Sequence, residues 1–93
     1  GAWWAVARLA GELPELVLPK LPGLLSAAAL EDDPAIIAHA CVLFGLLGDP
    51  AALPFLRTHL GNAHPIELFR GGALESVETR ALARRALERC SGA

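Results

Sequence analysis

The segment from Asp33 to Gly48, DPAIIAHACVLFGLLG, constrains this chain more than any other. Asp33 is suited to a helix N-cap, where a short carboxylate accepts a free backbone N–H. Pro34 then occupies the first helical position, where the missing proline N–H costs nothing. Gly48 supplies a left-handed stop. Together they predict a helix from Pro34 to about Leu47. Ile36, Ala40, Leu43 and Leu47 form one stripe on it, and Ile37, Cys41 and Phe44 form the next. Val42 and Leu46 cover much of what remains, and His39 is the single polar side chain. A helix that is apolar nearly all round packs on more than one side. The remaining chain therefore has to be arranged around this segment.

Composition agrees with a helical solution. The 93 residues are 54% hydrophobic, chiefly Leu and Ala, with few aromatic and few β-branched residues. That balance favours an all-α chain forming one domain. Residues 2–11 read as a short helix stopped by Gly11. Residues 14–30 have Leu16, Leu21, Leu24, Leu25 and Ala28 at helical spacing, interrupted by Pro19, Pro22 and Gly23, which predicts a kink and a regular helix from about Leu21 to Leu30. Asp49-Pro50 repeats the cap chemistry of Asp33-Pro34. Pro54 follows one turn later and removes the hydrogen bond to the Pro50 carbonyl. The spacing predicts a loose or 3₁₀ lead-in at 50–53, a regular helix only from about Leu53, and a stop at Gly61. Residues 61–74 read as the most loop-like region, with one helical turn at Ile66–Phe69. A last helix is expected over about Glu75–Cys90, with Val77, Leu82, Ala86 and Cys90 on its apolar side.

The formal net charge of −2 is too small to mark a nucleic-acid or membrane partner. Its distribution is uneven: two basic against six acidic side chains in residues 1–50, and six basic against four acidic in 51–93. Cys41 and Cys90 are far apart in a chain poor in cysteine, so they are expected to be reduced, buried thiols in a cytoplasmic protein, with a disulfide as the alternative where their helices pack together. No apolar run reaches the length of a membrane span, and no signal-peptide pattern is present. The chain contains no Met, which reads as a segment of a longer protein.

Two stretches are internally similar. Leu9-Ala10-Gly11-Glu12 matches Leu46-Leu47-Gly48-Asp49, and Leu18-Pro19-Lys20-Leu21 matches Leu53-Pro54-Phe55-Leu56, at offsets of 37 and 35 residues. A two-helix unit repeating at that period is the mark of an α-solenoid. Asp33-Pro34, Leu47-Gly48-Asp49 and Ala52-Leu53-Pro54 resemble a HEAT repeat, in particular the short bacterial kind found in phycobilisome lyases. The likeness is strongest over residues 32–60, and the family's usual arginine early in the first helix is absent. The resemblance implies an α-α superhelix, a short right-handed solenoid of HEAT-like helix pairs: repeat 1 over about 2–31, repeat 2 over about 33–61, an insertion at 62–74 and a partial repeat 3 over about 75–91. It further implies a scaffold or protein-binding module without catalysis, whose second helices line a concave face carrying Lys20, Arg57 and His59. The alternatives are a piece of a HEAT-like lyase or DNA-glycosylase-type enzyme, and a purely structural linking segment.

Candidate sites are few. His39, His59 and His64 lack metal-binding spacing, and no serine lies in a nucleophile elbow. No metal and no cofactor are expected. Glu31, Asp32 and Asp33 belong to a helix start. On the last helix Arg80 and Arg84 lie one turn apart, as do Arg85 and Arg89, so a basic face is geometrically available. Arg80 and Arg84 join Lys20, Arg57 and His59 as candidate binding residues. One reading pairs these arginines with Glu75, Glu78 and Glu88 on a solvated face; the sharper one has them contact an acidic partner or a phosphate. Trp3 and Trp4 point about 100° apart on a helix, so one is expected to pack and the other to stay outside. The expected partner is another protein, or a second copy of the chain meeting through the exposed solenoid ends, with no membrane and no nucleic acid.

Overall fold

Every predicted element up to residue 60 has a counterpart in the structure, a computed structural model that describes residues 2–92. Helix α1 spans Ala2–Glu12 and α2 spans Pro14–Val17. A 3₁₀ turn over Leu18–Lys20 follows, then α3 over Leu21–Ala29 and α4 over Pro34–Leu47. A second 3₁₀ turn, Pro50–Ala52, leads into α5, Leu53–Thr58. Strands β1, Pro65–Arg70, and β2, Ala73–Glu78, precede the last helix, α6, Thr79–Cys90.

Local chemistry explains most of these bounds. Asp33 Oδ1 accepts from the Ala35 N–H at 2.9 Å, and Asp49 Oδ1 accepts from the Ala51 N–H at 2.8 Å. Each cap is followed by proline, and Gly48 ends α4 with φ 63°. The proline pair at 50 and 54 produces the expected 3₁₀ lead-in and a helix that becomes regular at Leu53. Gly11 behaves differently from expectation. It lies within α1, which runs on to Glu12, and its φ is not positive. Helix α5 ends at Thr58, before Gly61.

Helix α4 is the hub. It packs against α1 on one side and α6 on another. Ala38, Ala40, Cys41, Leu43 and Phe44 are completely buried. Phe44 carries the cross-bracing: its ring meets Trp3 of α1 edge-on at 6.4 Å and Phe55 of α5 edge-on at 5.2 Å. Edge-to-face pairs of this kind add about 0.5–1.5 kcal/mol beyond burial. On the α6 side Gly45 lets the helices touch. A Cβ at Gly45 would lie 2.9 Å from the Ala86 Cβ and 3.1 Å from its Cα.

The all-α expectation is overturned by a β-hairpin. Strands β1 and β2 are antiparallel, registered from Pro65↔Glu78 to Arg70↔Ala73, so the loop is the pair Gly71-Gly72 alone. Both glycines have positive φ, 55° and 83°. Two successive positive φ values make the type I′ turn whose twist matches that of paired strands. The helical turn expected at Ile66–Phe69 is therefore strand, and the last helix starts at Thr79 instead of Glu75. Val77 faces the core from β2 and not from α6. The chain is a mixed α/β fold, and the all-helical right-handed solenoid of HEAT-like pairs is not its architecture.

The hairpin is clamped at its base. Thr79, the one buried polar residue among those described, donates through Oγ1 to the His64 carbonyl at 3.0 Å, as does its N–H. The Arg80 N–H donates to the Asn62 carbonyl at 2.7 Å. These loop carbonyls satisfy the first N–H groups of α6, which has no side-chain cap.

Candidate interaction surface

Val42 and Leu46 lie one turn apart on the side of α4 that neither α1 nor α6 fully covers. Val42 is half-buried and Leu46 is 37% exposed. Two open grooves share these residues. The first, about 180 Å³, lies between α4 and α6 and is lined also by Cys41, Leu82, Arg85 and Arg89. The second, about 660 Å³, lies between α1, α4 and the hairpin, where Trp4, Arg8, His39, Glu67 and Leu74 line it. Val42 and Leu46 form the ridge between them.

Each side chain reaches this face for a local reason. Trp3 is spent on Phe44, so its neighbour Trp4 turns outward and stays 53% exposed. Arg8, one turn on, stacks on Trp4 with its guanidinium carbon 5.5 Å from the ring centroid, a cation–π contact that holds the indole in place. Leu74 sits just past the hairpin turn and is 65% exposed. On α6 the buried stripe is Leu82, Ala83, Ala86 and Cys90, which leaves Arg85 and Arg89 exposed beside the first groove. Among the described residues neither has an ion-pair or hydrogen-bond partner.

The five residues singled out from sequence do not form one site. Arg80 is occupied: its Nε lies 2.6 Å from Glu78 Oε2, a coulombic contact in which that oxygen makes no directed hydrogen bond. Arg84, Arg57 and Lys20 are exposed and line none of the three grooves described. His59 lines a third groove of about 460 Å³ between α3 and α5, with Leu25, Phe55 and Glu31. Burial pushes the His59 pKa below the usual histidine value. Its Nδ1 accepts from Asn62 Nδ2 at 3.2 Å and its ring stacks at a tilt on Phe55, 4.7 Å between centroids. His64 instead donates from Nδ1 to the Pro65 carbonyl at 2.9 Å. The two rings bond different groups, although the Asn62 side chain also accepts from the His64 N–H at 3.0 Å. Among the described residues no three His, Cys, Asp or Glu side chains converge on a point where one metal ion would sit.

The thiols are protonated. Burial pushes Cys41 up to about 12, and burial with the nearby Asp49 carboxylate raises Cys90. Cys90 Sγ donates to the Phe44 carbonyl at 3.3 Å, and the two cysteines are unpaired. A thiol kept neutral in this way serves as packing.

No protein-family model matches the chain, and comparisons with curated proteins and with solved structures find no match. The described helices include none long and apolar enough to cross a membrane. The site rests on its own geometry: an apolar ridge, two flanking grooves and an excess of arginine. Sequence reading placed Arg85 and Arg89 one turn apart but preferred Arg80 and Arg84. Glu78, one of the three acids set against these arginines from sequence, precedes Arg80 by two residues and pairs with it.

Proposed function

We propose that the chain is a protein-interaction module that binds its partner across the outward face of α4. The observation that carries this reading is the pair of grooves sharing Val42 and Leu46, with Trp4, Leu46 and Leu74 exposed on one surface. Exposed apolar side chains scattered singly are ordinary, whereas a contiguous apolar surface with a polar rim marks a contact site. Trp and Arg are also the side chains that dominate binding energy at protein interfaces. The face offers shape, apolar area and charge, which are the means of noncovalent recognition.

The test is affinity capture with three matched baits: the unaltered chain, Leu46→Glu and Leu16→Glu. Leu16 is 54% exposed and lines none of the three grooves, so its variant controls for a general gain of charge. A protein held by the unaltered chain and by Leu16→Glu, and released by Leu46→Glu, is the expected result. Equal recovery on all three baits, or recovery on none, overturns the proposal.

A further inference from the structure

Resting on that reading, we infer that the partner presents an amphipathic helix with acidic residues flanking its apolar stripe. The geometry of the face is helical throughout. Val42 and Leu46, Leu82 and Ala86, and Arg85 and Arg89 are each spaced by one turn, so the first groove runs along the axes of α4 and α6. An amphipathic helix places its anchors at the same one-turn spacing and lays its apolar stripe into such a groove. The close Gly45–Ala86 contact keeps the floor shallow. The groove's volume of about 180 Å³ suits side chains entering from a helix lying on top.

Charge selects the sign of the partner. The chain as a whole carries −2, yet the face carries Arg8, Arg85 and Arg89 against the single carboxylate of Glu67. Arg85 and Arg89 are adjacent on one ridge of α6 and have no acidic partner among the described residues. Two cations one turn apart, about 6 Å along the helix, match two carboxylates at i and i+4 on an opposing helix. Guanidinium groups favour this role because their planar donors engage carboxylates two bonds at a time. Charges of this kind act mainly on encounter rate and on rejection of wrong partners, with the apolar ridge supplying the anchor.

The experiment uses two synthetic helical peptides of 18 residues, about five turns. Both have the same leucine stripe, one flanked by glutamate and the other by lysine. Binding to the full chain is read by fluorescence anisotropy at low and at high salt. The acidic peptide is expected to bind, to weaken with salt, and to lose at least tenfold in affinity against the Arg85→Glu/Arg89→Glu double variant. The lysine peptide is expected not to bind. Both substitutions are at exposed positions, and circular dichroism checks that the double variant retains its helices. Equal binding of the two peptides, indifference to the double substitution, or a concentration-dependent dimer of the chain that Leu46→Glu dissolves would overturn the inference. A captured protein that is sensitive to Leu46→Glu but not to the arginine reversals leaves the interaction reading standing and removes only the acidic helix. Insensitivity to Leu46→Glu removes both.

Discussion

Gly45 and Gly23 are both glycines inside helices, and they stand for opposite physical situations. Gly45 is there for space. Its φ is not positive, so the backbone would accept alanine, but the Ala86 backbone lies where the new methyl would go. Gly45→Ala should therefore separate α4 from α6 and destabilise the fold by about 1–3 kcal/mol, the usual cost of overpacking. A methyl group added at Gly23 would meet nothing within 4 Å, and the backbone there has no positive φ. Gly23→Ala should stabilise by about 0.4–1 kcal/mol through loss of freedom in the unfolded chain. Thermal melts of the two variants separate the cases, since about 1 kcal/mol moves the midpoint by roughly 4–8 °C in a domain of this size. Nothing in the sequence shows that Gly45, and not Gly23, meets another helix. The difference lies in a contact between residues about forty positions apart.

At the scale of elements, α4 was legible because its signals are local and agree. Asp33, Pro34 and Gly48 each satisfy one requirement of a helix end, and the apolar run between them calls for cover on more than one side. The hairpin was missed although its signal was equally local. Gly71-Gly72 is a two-residue loop between runs containing Ile66, Leu68, Leu74 and Val77, the pattern of a type I′ hairpin. It lost to a helical reading because Val77 also extends the Leu82, Ala86 and Cys90 stripe of α6 backwards, and the base of the hairpin is sealed by contacts from Asn62 and His64 that the sequence does not show. The turn is testable. Gly71→Val forces a β-branched residue to positive φ and should cost about 1–2 kcal/mol, whereas Gly71→Asn, a residue that tolerates this conformation, should be nearly neutral. Urea titration of both variants checks the contrast; equal loss in both would mean that the turn conformation is not what holds the strands.

For the whole molecule, titration links the buried thiols to stability. Cys41, raised from 9.0 to about 12, stays neutral when folded at pH values where an unfolded chain would ionise it. The unfolded state then binds fewer protons than the native one, so stability falls as pH rises. The contribution is intact below pH 9 and is lost progressively between 9 and about 12, with Cys90 acting in the same direction. The sign reverses for His59. Its lowered pKa makes the unfolded chain bind the extra proton first, so stability declines as pH drops below 6.5. A plot of midpoint against pH should therefore fall at both ends, and Cys41→Ala/Cys90→Ala should flatten the alkaline limb even though it starts from a less stable protein. The candidate surface, too, belongs to this scale. Trp4, Leu46, Leu74 and Arg89 come from four elements, and only their packing around α4 makes them neighbours. Sequence reading found the arginine ridge and the outward tryptophan separately, with no means of placing them side by side.

The central position of α4 also sets an order of events during synthesis. Its α1 side finds cover at once, because residues 2–12 have already left the ribosome. Its α6 side waits until residues 79–90 emerge, and Cys90 closes against Phe44 only across a separation of 46 residues. At ~5–20 residues per second that interval lasts several seconds. For that time the most apolar helix of the chain stands half covered beside the translation machinery. A chain built around α4 thus depends on the later-made α6 arriving before a neighbouring nascent chain does.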